Sequence, residues 1–171
     1  MHLLATEPGT IADGSAAVDL AQTPGDIVVL ASADTEIALL ASTQVGALSA
    51  TYFATLDATA LGGLTTTQLK GVSATQIRAL DVTDVGNFKD TQIAALTTTQ
   101  IGGLNTTVIA NLTSTEIGYL QATQIPGLNA TQMPYLSTTN ITAMNTTQIN
   151  AFTTAQVQTM MTEAQVEAYL A

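Results

Sequence analysis

The chain has 171 residues, of which 46% are hydrophobic and 9% are charged, whereas typical soluble domains carry roughly 25% charged residues. Its net charge is −10, with Lys70, Arg78 and Lys89 as the only basic side chains, which excludes the basic patch that a nucleic acid or an anionic membrane would require. No cysteine is present, so disulfides and thiolate metal ligands are excluded as well.

Residues 1–32 do not repeat and are predicted to form a small N-terminal cap that contains strand. The run from Asp26 to Ala31 is short and rich in β-branched residues, and it follows the turn signal Pro24-Gly25, as expected of a buried strand. This segment lacks the basic start and long apolar run of a signal peptide, and no stretch of the chain approaches about 18 apolar residues. The sequence leaves the compartment open, with the cytoplasm as the default expectation and export by a non-cleaved route as the alternative.

The N-terminal segment resembles the start of a known enzyme subunit. The residues that carry the resemblance are His2 to Thr6, Pro8 to Ile11, Asp13 to Ser15, Ala17 to Leu20, Gln22 to Val28 and Ala33 to Ala41. Together, residues 1–41 are similar to the N-terminus of the large subunit of aerobic cobaltochelatase, which inserts cobalt into a corrin ring during cobalamin synthesis. The resemblance stops at Ala41, and the active-site motifs of that family are not present, so no functional residue is carried over.

Residues 33–160 consist of an octapeptide that is repeated sixteen times without a gap. The fifth and eighth positions are apolar in all sixteen octads, and the third position is Thr in fifteen of them. A period this strict indicates one small structural unit stacked on copies of itself. Residues 33–171 are therefore predicted to form a solenoid. The octads of residues 42–170 also resemble the Thr- and Gln-rich repeats of large bacterial surface proteins.

Each octad carries the signature of a helix start. The first position is Ser, Thr, Asp or Asn in twelve octads and the fourth is Gln or Glu in eleven, which is the pattern of a capping box. Eight residues overshoot two helical turns by about 80°, so one continuous helix would have no constant apolar face. We therefore predict a mainly α solenoid of short helices, with one break in every octad. An extra residue, Met161, should shift the last unit to start at Thr162.

Two observations favour a β-solenoid as the alternative architecture. Threonine favours strand modestly, and Pro126 and Pro134 occupy the sixth position, where proline removes a helical hydrogen bond. Against strands, the apolar spacings of three and five residues do not alternate with period two. The helical interpretation then predicts local distortion over residues 122–136. Gly and Ala at the sixth and seventh positions indicate close approach of neighbouring backbones.

The third-position threonines are the one candidate interaction site. They form a regular series that could match an ordered lattice such as ice or a polysaccharide, although exposed structural threonines would produce the same pattern. The candidate residues are Thr67, Thr75, Thr83, Thr91, Thr99, Thr107, Thr115, Thr123 and Thr131.

Other chemistry-bearing residues have structural interpretations. His2 has no second histidine or cysteine with which to bind a metal. Asp81 and Asp84 fall at the first and fourth octad positions, and with Asp90 they lack the spacing of a calcium loop. The Asn-x-Thr triplets, which begin at Asn105, Asn111, Asn129, Asn140 and Asn145, arise from the abundance of threonine and from capping. We therefore predict no catalytic residue, no metal and no cofactor.

The sequence favours a non-enzymatic repeat scaffold or interaction module of the bacterial surface or adhesin type. The expected partner is a protein or an extended surface ligand, and self-association through the solenoid ends is left open. One alternative is a truncated protein that resembles the cobaltochelatase large subunit, and a second is lattice binding through the threonine series. Since each octad should contact mainly its neighbours, removal of three or four internal octads is expected to preserve the fold.

Overall fold

The computed structural model describes residues 37–171, so the predicted N-terminal strand lies outside the described residues. All regular elements within that range are helices, which confirms the mainly α solenoid rather than its β alternative. The α-helices are α1 (Ser42–Ala47), α2 (Ala50–Phe53), α3 (Ala58–Gly63), α4 (Thr66–Gly71), α5 (Ala74–Ala79), α6 (Val82–Gly86), α7 (Asp90–Ala95), α8 (Thr98–Gly103), α9 (Thr106–Asn111), α10 (Ser114–Tyr119), α11 (Thr138–Ala143), α12 (Thr146–Ile149) and α13 (Glu163–Leu170).

The octad of α8 shows why each helix begins and ends where it does. The Gln100 backbone N–H donates to Thr97 Oγ1 at 3.2 Å, and the Thr97 N–H donates to Gln100 Oε1 at 2.7 Å, so the capping box is complete. Leu104 then adopts an extended backbone, with φ −54° and ψ 135°, which ends the helix and turns the chain towards the next N-cap. This alternation repeats in almost every described octad.

Three of the four departures from α-helix among the described residues occur where the sequence interrupts the regular octad. Short 3₁₀ helices cover Ile37–Leu39, Ala122–Gly127 and Met133–Tyr135, and the last two contain the prolines that predicted distortion over 122–136. A π-helix covers Gln156–Met160. It accommodates the extra residue, because the Met161 N–H donates to the Gln156 carbonyl at 3.0 Å, and α13 then starts after the N-cap Thr162 as predicted.

Helices pack mainly on the helix three octads away, and the solenoid is therefore a three-sided coil with three octads in each turn. The first column contains α1, α4, α7, α10, α11 and α13. The second contains α2, α5, α8, the 3₁₀ helix Ala122–Gly127 and α12. The third contains Ile37–Leu39, α3, α6, α9, Met133–Tyr135 and the π-helix Gln156–Met160. Neighbours in the stack are thus separated by two intervening octads, which the sequence did not reveal.

Glycine allows close contact between successive layers in the first and second columns. A Cβ on Gly71 would collide with the Ser42 carbonyl oxygen in α1. In the second column, a Cβ on Gly103 would lie 2.8 Å from the Ala74 carbonyl oxygen, and one on Gly127 would lie 2.6 Å from that of Thr98. The predicted close approach is confirmed at these positions, whereas Gly63 has nothing within 4 Å of its Cβ position.

The core is the interior of the three-sided coil. It consists of the fifth- and eighth-position residues, such as Ile101 and Leu104, which are buried in nearly every described octad. Positions one to three face outwards and supply most of the exposed surface. Among the described helices, none has the length and apolar character needed to cross a membrane.

Candidate functional site

A ladder of buried glutamines joins each layer of the solenoid to the layer below. In the octad of α8, the Gln100 Nε2 donates to the carbonyl oxygens of Leu69 and Val72 at 2.6 and 2.7 Å, which lie 31 and 28 residues earlier. The same two bonds recur at 2.5–2.9 Å from Gln68, Gln76, Gln92, Gln124, Gln132, Gln148, Gln156 and Gln165. Across the extra residue Met161, the separations for Gln165 become 32 and 29.

Each of these glutamines uses both ends of its amide. The Oε1 of Gln100 accepts the N–H of the N-cap Thr97 while its Nε2 donates to the layer below, and the side chain is 2% exposed. A buried amide is tolerated only when its hydrogen bonds are satisfied. No buried side-chain nitrogen or oxygen in the described residues is without a partner, so the ladder is a structural element rather than a free binding site.

The ladder is interrupted where the fourth position is not glutamine. In the third column, the successive octads of α3, α6 and α9 carry Ala60, Asp84 and Val108 at that position. In the first column, α10 carries Glu116, whose Oε2 accepts from Thr113 but which, as a carboxylate, has no N–H to donate. The interruption thus covers three successive layers of the third column, and the ladder resumes there at Gln132 and Gln156.

A groove runs along the corner between the second and third columns, beside this interruption. It consists of two cavities of about 450 and 390 Å³ that share Asn105 in their walls. Asn105 replaces the missing glutamine in part, since its Nδ2 donates to the carbonyl oxygens of Arg78 and Leu80 at 3.1 and 2.8 Å. One layer up, the Asn129 Nδ2 donates to Gly102 at 3.0 Å.

The groove presents polar groups of both charges. Asp81 and Thr83 line the first cavity, whereas Arg78 and Thr131 line the second. Within residues 37–171, no hydrogen bond or ion pair engages the Arg78 guanidinium, and none engages the hydroxyls of the groove threonines Thr83, Thr107 and Thr131. The Asp81 carboxylate accepts the Asp84 N–H through Oδ1 at 2.9 Å, and its Oδ2 has no partner among the described residues. The groove can therefore exchange hydrogen bonds and charge with a ligand.

All nine candidate threonines are exposed, but the three-sided coil separates them into three columns. Thr67, Thr91 and Thr115 lie in the first column, and Thr75, Thr99 and Thr123 lie in the second. Thr83, Thr107 and Thr131 lie in the third, and all three of these line the groove. The third-position threonines therefore do not form one continuous row, and a flat ligand would contact the threonines of only one column.

Several other polar residues hold structural positions in the described part of the chain. The Asp81 N–H donates to Asp84 Oδ2 at 2.9 Å, so the two carboxylates form a capping box. Asn105 and Asn145 cap α9 and α12 through Oδ1, and the Asn129 Oδ1 accepts the Gln132 N–H at 3.1 Å in the turn before the 3₁₀ helix Met133–Tyr135. Among residues 37–171, no group of three or more metal-ligating side chains is close enough to hold an ion.

The inter-layer bonds of glutamine and the corner groove were not predicted from the sequence. The capping box accounts for the Oε1 of each fourth-position glutamine, but the sequence does not reveal which octad lies beneath it. One signal was available, since the fourth-position glutamine is lost in every third octad from Ala60 through Asp84 to Val108, and this recurrence marks the third column.

Comparison with known proteins gives a short match to one subunit. No family model matches the chain, and no solved structure matches it. The chain is 60% identical over 38 residues to the aerobic cobaltochelatase subunit CobN of a Sinorhizobium species, in agreement with the resemblance of residues 1–41. The match covers 22% of this chain and 3% of that subunit. The repeat solenoid of residues 37–171 is thus not accounted for by any match.

Proposed function

We propose that this protein is a non-enzymatic repeat scaffold that binds a protein or another extended ligand along one outer corner. The observation that carries the proposal is that the buried polar side chains have hydrogen-bond partners inside the protein, whereas several exposed ones do not. Buried polar side chains are used inside the solenoid, as in the glutamine ladder, whereas the Arg78 guanidinium and the hydroxyls of Thr83, Thr107 and Thr131, which have no partner among the described residues, line one groove. Extended concave surfaces of this kind are the usual binding sites of solenoid proteins.

The test is to map the binding surface by NMR of the ¹⁵N-labelled chain during titration with extended ligands, namely polar peptides and soluble polysaccharides. The proposal predicts that chemical shift changes follow one column or corner over several layers, so that perturbed residues recur in every third octad. Changes confined to one layer, or no saturable change with any ligand of the panel, would contradict it.

The second column favours lattice binding as a second candidate function. The first three positions of its octads carry no charged side chain, and its layers approach closely at Gly103 and Gly127. These features support a flat, neutral face with exposed hydroxyls at Thr75, Thr99 and Thr123. Replacement of these three threonines by lysine should abolish thermal hysteresis or adsorption to crystalline polysaccharide, and activity that survives this replacement would exclude the face.

The match of the N-terminal segment supports a third candidate, a role linked to cobalamin biosynthesis. The supporting observation is the 60% identity to CobN over 38 residues, and the ligand that this candidate implies is a corrin. A saturable shift in the visible absorbance of a corrin on addition of the chain would support it, provided that a variant without residues 1–32 gives none. An unchanged spectrum would oppose this candidate and leave the scaffold proposal untouched.

A further inference from the structure

The methionine side chains of the described residues lie together in the last layers of the solenoid. In the octads before residue 129, the fifth and eighth positions carry only Leu, Ile, Val or Phe. Met133, Met144 and Met160 occupy these positions afterwards, and Met161 is the extra residue of the last unit. Met133 and Met144 are 0% and 7% exposed, whereas Met160 and Met161 are partly exposed while packing against the core. Of the four, this pair is therefore the most accessible to solvent.

Met160 and Met161 connect the π-helix Gln156–Met160 to the helix that follows it, α13. The Met161 N–H donates to the Gln156 carbonyl at 3.0 Å, and its backbone is extended, with φ −76° and ψ 143°. Thr162 then caps α13. Since both methionine side chains pack against the core, they fix the chain at the point where α13 begins.

Helix α13 has few buried contacts of its own. Gln165 is the one buried side chain among its eight residues, and its Nε2 donates to the carbonyl oxygens of Met133 and Leu136 at 2.7 and 2.5 Å. The Tyr169 ring meets that of Phe152 edge-on, with ring centroids 6.0 Å apart. Segments with few buried apolar contacts open at low free-energy cost, so a polar group introduced where α13 begins can detach the helix.

We propose that Met160 and Met161 are oxidation sites, and that their conversion to methionine sulfoxide reversibly releases α13 from the solenoid. The oxidant is hydrogen peroxide. The sulfur lone pair attacks one peroxide oxygen and the O–O bond breaks, while the proton of the attacked oxygen passes to the leaving hydroxide, which departs as water. The sulfur is thereby oxidised by two electrons and the peroxide is reduced by the same two.

The physical effect of this oxidation is to place a polar group in an apolar contact. Methionine sulfoxide is polar where methionine is apolar, and burial of a polar group without a hydrogen bond is unfavourable. The oxidised side chains are therefore expected to leave the core and to take the start of α13 with them. This inference is independent of the proposed scaffold function.

The test uses the full chain, treated with hydrogen peroxide and digested with pepsin. Tandem mass spectrometry measures the gain of one oxygen atom at each methionine, and hydrogen–deuterium exchange of the same peptides measures the protection of each helix. We expect Met160 and Met161 to be oxidised roughly tenfold faster than Met133, because a buried sulfur is shielded from the oxidant. Amide exchange in α13 should then accelerate roughly tenfold while α8 stays protected, because local opening is confined to weakly packed segments.

The double variant Met160→Leu/Met161→Leu separates oxidation from folding. Leucine is the commonest eighth-position residue of the other octads and replaces methionine with little loss of packing, but it has no sulfur to oxidise. We expect α13 of this variant to stay protected after peroxide treatment. Met144→Leu is the matched control, because it leaves the pair intact and α13 should lose protection as in the unaltered chain. Methionine sulfoxide reductases should restore protection in the unaltered chain.

Several results would overturn the inference. Equal oxidation rates at Met133 and at the pair, or equal loss of α13 protection in the double variant and the unaltered chain, would each contradict it. The same holds if α13 stays protected after Met160 and Met161 are both oxidised, or if protection is lost throughout the solenoid. A loss of protection that the reductases do not reverse would indicate oxidative damage and would refute a reversible release.

Discussion

The second and third columns of the solenoid are built from the same octad, yet they differ in how their layers are joined. In the second column, α5, α8, the 3₁₀ helix Ala122–Gly127 and α12 each contribute a buried glutamine, in four successive layers. In the third column, three successive layers carry Ala60, Asp84 and Val108 at the corresponding position, before the glutamine returns at Gln132 and Gln156. The comparison teaches that the fourth position of the octad decides whether a glutamine amide joins a layer to the one below, and that the fold tolerates the loss of that amide in three successive layers.

The largest effect is expected from deletions that respect or break the octad period. Deletion of residues 97–120 removes one complete turn and joins Leu96 to Gln121, so that all later helices keep their columns. Deletion of residues 97–116 removes half an octad less but joins Leu96 to Ile117, and it places the next capping box out of phase. We expect a cooperative thermal melt from the first variant and a lower, broader one from the second.

Circular dichroism with thermal denaturation measures both deletions. The variant without residues 97–116 is the longer of the two chains. If chain length alone determined stability, it would be the more stable variant. A higher Tm for the variant without residues 97–116 would contradict the dependence of the fold on the octad phase.

Gln100→Glu separates the two roles of the ladder glutamine. The carboxylate keeps an acceptor for the Thr97 N–H, but it loses both donated bonds and places negative charge beside two buried carbonyl oxygens. Since each unsatisfied buried group costs about 1–3 kcal/mol, we expect a loss of about 2–4 kcal/mol in the free energy of urea-induced unfolding. Gln121→Glu, at an exposed N-cap, is the matched control, and equal losses in the two variants would argue against inter-layer bonding.

Gly71→Ala tests the close approach of the first column. Its Cβ would collide with the Ser42 carbonyl oxygen, whereas that of Gly63 would meet nothing within 4 Å. Overpacking of this kind costs about 1–3 kcal/mol, while Gly→Ala within a helix otherwise stabilises by up to about 1 kcal/mol. Opposite signs are therefore expected for Gly71→Ala and Gly63→Ala in chemical denaturation. If both substitutions stabilise the protein, the first-column layers must be farther apart at Gly71 than the structure places them.

Glu116→Gln should repair one interruption of the ladder. The new amide would have a donor directed towards the carbonyl oxygens of Val85 and Phe88, which stand in the same relation to position 116 as Leu69 and Val72 do to Gln100. A gain of about 1–2 kcal/mol in unfolding free energy is expected, because a net intramolecular hydrogen bond contributes about 0.5–1.5 kcal/mol. Glu163→Gln, at an exposed site in α13, controls for the removed charge. A gain at position 163 as large as that at 116 would attribute the effect to net charge alone.

Local features of this fold could be predicted from the sequence, whereas its layer geometry could not. The capping boxes, the inward fifth and eighth positions and the distortion at Pro126 and Pro134 depend on residues within one or two octads. The packing of each helix on the third one along depends on the angle at extended residues such as Leu104. An eight-residue period does not encode that angle, so the number of octads per turn stayed unknown.

At the candidate site, too, features set within one octad could be predicted, whereas features set by contacts between layers could not. Exposure of the third-position threonines was predicted correctly, since it follows from their place within each helix. Their separation into three columns was not, because it depends on the three-octad turn. The groove depends additionally on Asn105, whose bonds to Arg78 and Leu80 span 27 and 25 residues, and no pattern within one octad indicates such contacts.

The most direct test of the three-sided coil is a distance comparison between pairs of nitroxide labels. The chain has no cysteine, so pairs can be introduced cleanly at Thr75→Cys with Thr99→Cys and at Thr75→Cys with Thr91→Cys. The account predicts stronger dipolar broadening, and thus a shorter distance, for residues 75 and 99, which lie in adjacent layers of one column. A shorter distance between residues 75 and 91, which are closer in sequence but lie in different columns, would contradict it.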